Sequence, residues 1–138
     1  MKILGPQAAS SAILRRDGQF LLVLRQNPPS QHMYAFPGGR AEPGEIPAET
    51  ALREFYEETG IKAHSPRLFK TYDLKTHSAD GAVTSHFFLS VFEVEAPLDA
   101  VARAADDAAA LGWYSLEDIR RLPTPQSVLE CAELLAHR

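Results

Sequence analysis

The sequence predicts an α/β fold, and three observations support that prediction. Apolar runs of strand character lie in both the first and the second half of the chain, and an amphipathic helix over about residues 47–59 lies between them. Further helical segments follow the last strand. The chain has 138 residues, 45% of them apolar and 23% charged, which is typical of one globular domain over residues 1–138.

The chain opens with two segments, residues 7–15 and 19–25, that we expect to pair as a hairpin. Asp17-Gly18 supplies the turn between them. The second segment contains the continuous apolar run from Phe20 to Leu24, which favours a central strand buried on both faces.

A loop over residues 26–33 contains Pro28-Pro29-Ser30, and a short strand over residues 34–36 follows it. This strand leads into a glycine-rich loop, Pro37-Gly38-Gly39. Because glycine has no Cβ, such a loop lets the backbone approach a ligand closely.

The central helix has clear start and stop signals. Pro47 suits the first helical position, and Gly60 suits the left-handed residue that ends a helix. One side of the helix is apolar and is expected to be buried; it consists of Ala48, Ala51, Leu52 and Phe55.

The second half of the chain continues with strands and then helices. Two strands are joined by a polar loop containing Asp80-Gly81, and Ser115 and Asp118 have the spacing of a capping box. In chain order we expect strands at 68–75 and 85–94, an irregular connection at 96–108, a strand at 111–114 and helices at 115–122 and 126–136.

Three glutamates, Glu54, Glu57 and Glu58, lie within about 100° of one another on the central helix, because a helix turns about 100° per residue. Like charges at this spacing repel, and carboxylates in the last turn oppose the helix dipole. A solvated acidic face is the alternative interpretation. A hard divalent cation such as Mg²⁺, which favours carboxylate oxygens, would relieve both penalties.

The segment resembles the signature of the Nudix hydrolase family. Gly39 and Glu45 open the motif, Arg53 to Glu58 form its centre, and Gly60-Ile61 close it. The resemblance implies an α/β/α sandwich with a mixed central sheet flanked by helices. It also implies hydrolysis of a nucleoside diphosphate linked to another moiety, with Mg²⁺ or Mn²⁺ as cofactor.

The resemblance also implies roles for individual residues. Glu54, Glu57 and Glu58, with the carbonyl of Gly38, would bind the metal, and Glu54 is the favoured general base. Independently of the resemblance, Arg53 lies next to Glu57 on the helical wheel, so we expect it to orient that carboxylate through a charge-assisted hydrogen bond. Glu45 could position Arg53 or a water. Some family members place the base on a loop outside the motif.

Residues outside the motif are weaker candidates. Asp107, with Asp106 close behind, is nominated as a further metal ligand, although adjacent loop aspartates are often only solvated. Aromatic side chains commonly stack on nucleobases. Tyr34, Phe36 and Gly39 are the candidates for substrate contact. Phe69, Tyr72, Phe87 and Phe88 are further stacking candidates, although a place in the core or on a strand face is the favoured interpretation for each aromatic residue.

The substrate expected from the resemblance to small bacterial ADP-ribose pyrophosphatases is ADP-ribose or a related ADP-sugar. A nucleoside-triphosphate pyrophosphohydrolase is the first alternative. A Nudix-like module that senses a nucleotide without cleaving it is the second, although such a module would be expected to have lost a carboxylate.

Composition limits the partners. The net charge of −4 and the lack of a basic cluster argue against a nucleic-acid polymer as partner. No run approaches membrane-spanning length, and Cys131 is the single cysteine, which fits a reducing, cytoplasmic setting. Family members often dimerise, so a homodimer is compatible with the resemblance.

Overall fold

The computed structural model describes residues 5–26, 30–104 and 110–138. Five strands, one helix, three strands and two helices follow one another in this part of the chain. In chain order the elements are β1 (Gln7–Ile13), β2 (Arg15–Arg16), β3 (Gln19–Leu24), β4 (Tyr34–Ala35), β5 (Gly38–Arg40), α1 (Pro47–Thr59), β6 (His64–His77), β7 (Val83–Glu95), β8 (Leu111–Ser115), α2 (Leu116–Arg121) and α3 (Gln126–Ala136).

The strands form two sheets. The first has the order β5-β1-β7-β6 and is mixed, since β1 and β7 run parallel while its other pairs are antiparallel. The second has β3 paired with β2, β4 and β8, all antiparallel. The predicted α/β class, with a mixed sheet flanked by helices, is confirmed, and the strands divide between two sheets.

The expected hairpin of residues 7–15 with residues 19–25 is wrong in its extent. Of the first segment, only Arg15 and Arg16 form a strand paired with β3, and the Leu21 amide also donates to the Leu14 carbonyl. Residues 7–13 form β1, which belongs to the other sheet. The physical reason is burial on both faces: Ala12 and Ile13 are both enclosed, in different apolar clusters. A two-stranded hairpin cannot cover both faces, so β1 pairs with β5 and β7 instead.

The expected glycine loop is also corrected, because Gly38 and Gly39 lie in strand β5. They pair antiparallel with β1, with Gly38 opposite Ser11 and Gly39 opposite Ser10. A Cβ on Gly38 would lie 2.4 Å from the carbonyl oxygen of Ser10. The close backbone approach expected at this glycine therefore serves strand pairing.

The hairpin of β6 and β7 is longer than its predicted strands, which lie inside it. Residues 96–104 contain no helix or strand, as expected for the irregular connection. One hydrogen bond ties this segment to the central helix: the Arg103 amide donates to the carbonyl of Thr59 at 2.7 Å. The last turn of α1 thereby gains a partner for one of its free carbonyls.

Helix α1 begins and ends where the sequence predicts. Pro47 is its first residue, and Gly60 follows it with a φ of 74°. Ala51 and Phe55 are fully buried against the first sheet. Because this apolar side faces the core, the carboxylates on the neighbouring side lie along the rim of a cleft.

Helices α2 and α3 cover the apolar cluster that contains Ile13, on the face of the first sheet away from α1. Ser115 and Asp118 form the predicted capping box of α2. Cys131 of α3 is fully buried among Val128, Ala132 and Leu135, where it packs as a small apolar residue. In the described part of the chain, no helix is long and apolar enough to cross a membrane.

Candidate active site

Two cavities meet at strand β5. One is lined by acidic residues of α1, by the segment from Ala41 to Pro43 and by the end of β3. The other lies between the sheets and is mainly apolar. Both linings include Arg25, Gly38, Gly39 and Arg40, so the two cavities are parts of one cleft.

Arg53 is the hub of the acid-lined cavity. Its Nε and Nη2 donate to the two carboxylate oxygens of Glu45, at 2.7 and 3.0 Å. Nη1 donates to Glu54 at 2.8 Å and to Glu57 at 3.2 Å, and Nη2 also donates to the carbonyl of Arg40 at 2.9 Å. The predicted contacts of Arg53 with Glu57 and Glu45 are therefore present. These carboxylates, Glu45 first, raise the pKa of Arg53.

Glu45 is held by three donors. Besides Arg53, the Thr50 hydroxyl donates to it at 2.6 Å and the Glu42 amide at 3.0 Å. The hydrogen bond from Arg53, followed by those from Thr50 and Glu42, lowers the pKa of Glu45 from 4.5 to about 2. Glu45 thus fixes the guanidinium, which in turn orients two helical glutamates.

This pKa shift predicts a pH-dependent contribution of Glu45 to stability. Because the folded-state pKa lies below the unfolded value, the contribution is full above pH 4.5 and is lost as the pH falls from 4.5 towards 2. We expect Glu45→Gln to melt below the unmodified protein at pH 6, with the difference shrinking below pH 4.5. Thermal unfolding between pH 6 and 3 measures this, and a constant difference would contradict it.

Glu58 has a different environment from the other two helical glutamates. Its side chain is largely buried and accepts a hydrogen bond from the Gly38 amide at 3.0 Å. Burial, followed by the neighbouring charge of Glu54, raises the pKa of Glu58 to about 8, against the opposing effect of the Gly38 amide. Both effects disfavour the charged form of Glu58, and a cation bound beside it would oppose them.

Glu54 lies directly beneath the glycine strand. A Cβ on Gly39 would come within 2.5 Å of the Glu54 carboxyl group. Gly39 is therefore needed to leave room for this carboxylate.

The three helical glutamates share one cavity without converging on a single point. Arg53 draws Glu54 and Glu57 towards itself, whereas Glu58 turns to Gly38. Among the residues that the structure describes, no three acidic, histidine or cysteine side chains form a ready-made metal cluster. Asp106 and Asp107 lie outside the described residues.

The second cavity has mainly apolar walls. The first sheet contributes Leu74, Phe87, Leu89 and Val91; the opposite wall includes Ala35, Phe36, Pro125 and Val128. The Arg40 guanidinium lies over the Phe87 ring, 5.3 Å from its centroid, where the two cavities join.

The predicted substrate-contact residues take different positions. Phe36 lines the apolar cavity and Gly39 lies at the junction. Tyr34 packs edge-on against Tyr114, with 5.3 Å between ring centroids, and lines neither cavity. Sequence reasoning missed Arg25 and Arg40, although a cation directly after a buried strand and another directly after two glycines were signals that could have found them.

Comparisons with known proteins agree on one family. A model of the NUDIX domain matches residues 5–133. A protein named ADP-ribose pyrophosphatase from Methanocaldococcus jannaschii is 31% identical over 122 residues, covering 86% of this chain and 68% of that protein.

One further relative and one solved structure are also similar to this chain. A putative 8-oxo-dGTP diphosphatase of Bacillus subtilis is 44% identical over 57 residues, covering 41% of this chain and 36% of that protein. The NUDIX domain of Shewanella oneidensis NrtR, crystallised with ADP ribose, superposes with a TM-score of 0.77 at 20% identity, over 99% of this chain and 90% of that one. At this identity the likeness concerns the fold.

Proposed function

The chain belongs to the Nudix hydrolase family, whose members act on phosphoric anhydrides, and from this premise we propose that it hydrolyses a nucleoside diphosphate linked to another moiety. The substrate we favour is ADP-ribose or a related ADP-sugar. Mg²⁺ or Mn²⁺ is the proposed cofactor.

The observation that carries this proposal is the cleft with two chemically different ends. Its acid-lined end offers carboxylates and Arg53, and its other end offers apolar walls. A nucleoside diphosphate is likewise divided between a charged diphosphate and a flat, largely apolar base. We assign the diphosphate to the first cavity and the nucleoside to the second, with Arg25 and Arg40 at the junction facing the phosphates.

The donor set fits the proposed cofactor. Glu54, Glu57 and Glu58 offer hard carboxylate oxygens along one cavity, and Gly38 offers a carbonyl oxygen beside them. Hard oxygen donors of this kind suit Mg²⁺ and Mn²⁺. When bound, the ion would lower the pKa of a coordinated water and neutralise negative charge on the phosphate oxygens.

Glu54 is our candidate for the group that takes the proton from the attacking water. The Arg53 guanidinium donates to Oε1 of Glu54. The other carboxylate oxygen of Glu54 lies beside the backbone of Gly39, at the junction of the cavities. Arg53 itself is a positioning residue, because Glu45 holds it from the opposite side. The amide of Gly38 fixes Glu58 in the same way.

The relatives support the substrate that we favour. One carries the name ADP-ribose pyrophosphatase, and the structurally similar NUDIX domain was crystallised with ADP ribose. The relative named as a putative 8-oxo-dGTP diphosphatase favours the alternative, a nucleoside-triphosphate pyrophosphohydrolase.

One assay separates these functions. The protein is incubated with Mg²⁺ or Mn²⁺ and a panel of ADP-ribose, ADP-glucose, NADH, diadenosine polyphosphates and nucleoside triphosphates, and the release of AMP, phosphate and pyrophosphate is followed. We expect AMP from ADP-ribose, and no turnover after EDTA. Cleavage of nucleoside triphosphates alone would exclude the ADP-sugar proposal. If no compound of the panel is hydrolysed, a module that senses a nucleotide without cleaving it is favoured.

A further inference from the structure

The floor of the apolar cavity contains a buried hydroxyl group, that of Ser11. Side chains of β1 alternate between the two faces of its sheet: Ala12 belongs to the apolar cluster beneath α1, whereas Ile13 belongs to the cluster on the other face. Ser11 shares the face of Ile13, as do Leu89 and Val91 of the adjacent strand. Its side chain therefore points into the space between the sheets.

The Ser11 hydroxyl has no hydrogen-bond partner among the residues that the structure describes, although Ser11 is only 7% exposed. In the same part of the chain, no fully enclosed side-chain oxygen lacks a partner. The Ser11 hydroxyl must therefore reach the free space of the cavity that Ser11 lines.

The surroundings of Ser11 make an unpaired hydroxyl costly once a ligand has displaced the water from the cavity. Its neighbours on this face of the sheet, Ala9, Leu89 and Val91, are apolar and offer no partner. A base that enters the cavity displaces the water that reaches this hydroxyl, and the hydroxyl is then left unsatisfied unless the base itself supplies a hydrogen bond. Gly38, directly opposite Ser11 in the sheet, leaves the hydroxyl uncovered, since a Cβ there would lie 2.8 Å from the Ser11 Cβ.

We infer that Ser11 is a specificity-determining residue whose hydroxyl forms a hydrogen bond with the polar edge of the nucleobase. The inference rests on the proposed function, which assigns the nucleoside to this cavity. A base has flat apolar faces and a polar edge, which match the apolar walls and the Ser11 hydroxyl on the floor beside Gly38. Phe87, under the Arg40 guanidinium, provides a flat surface at the mouth of the cavity.

A hydroxyl can both donate and accept a hydrogen bond. Ser11 therefore distinguishes a heteroaromatic ring from an apolar group of the same shape, whichever kind of polar atom the ring presents. The contact adds to the affinity for the nucleoside end of the substrate and leaves the phosphate end untouched.

The test is a binding experiment without metal or turnover. The full chain is titrated in EDTA with AMP and with ribose 5-phosphate, which has the phosphate but no base, and dissociation constants are taken from amide NMR shifts. Ser11→Ala should weaken AMP binding by about two- to tenfold, the range for one neutral hydrogen bond, and leave ribose 5-phosphate binding unchanged.

The matched control is Ser90→Ala. Ser90 is also a buried serine of this sheet, 5% exposed, but it alternates with Leu89 and Val91 and so lies on the opposite face. The Ser90→Ala protein should bind AMP and ribose 5-phosphate with the same dissociation constants as the unmodified protein.

Each outcome is decisive. Unchanged AMP binding in Ser11→Ala, or an equal loss for ribose 5-phosphate, would overturn the role of Ser11. If the unmodified protein binds AMP no more tightly than ribose 5-phosphate, the assignment of the nucleoside to this cavity is wrong, and the inference falls with it. If AMP binding depends on Ser11 but no nucleoside diphosphate is hydrolysed, the proposed reaction fails while the inference stands.

Discussion

Replacing Glu54 by Gln is expected to lower kcat by about 10²- to 10⁴-fold, the contribution typical of a positioned acid or base. The amide keeps the size of the side chain but neither takes a proton nor carries the negative charge that faces Gly39 and Arg53. Thermal stability should be retained or increased, because removing this charge relieves its repulsion with the buried Glu58. Steady-state kinetics on ADP-ribose with Mg²⁺ and a thermal melt measure the two effects.

The control for this variant is Glu49→Gln, on the same helix. Glu49 is exposed and accepts a hydrogen bond from the Ile46 amide at the helix start, a contact that Gln preserves. Its kcat should stay near that of the unmodified protein. Near-normal kcat in Glu54→Gln would remove Glu54 from the reaction and return the search for the base to a loop outside the motif.

Gly39→Ala is the second change with a large expected effect. The new methyl group would lie 2.5 Å from the carboxyl of Glu54, which must move aside. A displacement of about 1 Å at a catalytic group can reduce the rate by about 10²-fold. Because the obstacle is the end of a flexible side chain, we expect kcat to fall by about this factor while the melting temperature stays within a few degrees.

The neighbouring variant Gly38→Ala separates catalysis from folding. Its methyl group would meet the backbone at 2.4 Å, at the carbonyl oxygen of Ser10, and backbone cannot swing away as a side chain can. We expect destabilisation of about 1–3 kcal/mol, as for other overpacked sites, measured by urea unfolding. A Gly39→Ala protein as unstable as Gly38→Ala would show that both glycines serve only the pairing of β5 with β1.

The parts of the fold that the sequence predicted correctly are those with local signals. Pro47 and Gly60 mark the ends of α1 through their own backbone preferences, and the apolar spacing between them sets its buried side. The contacts of Arg53 with Glu57 and with Glu45 were also expected, the first because it spans one helical turn.

The errors arose where a distant segment decides the structure. Gly38 and Gly39 carry no strand propensity, and only the presence of β1 alongside makes them a strand. The apolar cavity was not predicted for the same reason: Leu74, Phe87 and Val128 come from three separate elements. No spacing along the chain brings them together.

The passage of the chain through Leu14 also limits how the cleft can adapt. On one side of this residue the backbone belongs to one wall, and on the other side to the opposite wall. A single residue spans at most about 3.6 Å. The two sheets therefore cannot move apart at Leu14. Room for substrates of different bulk must be made by lining residues outside the two sheets, such as Ser30 and Pro125.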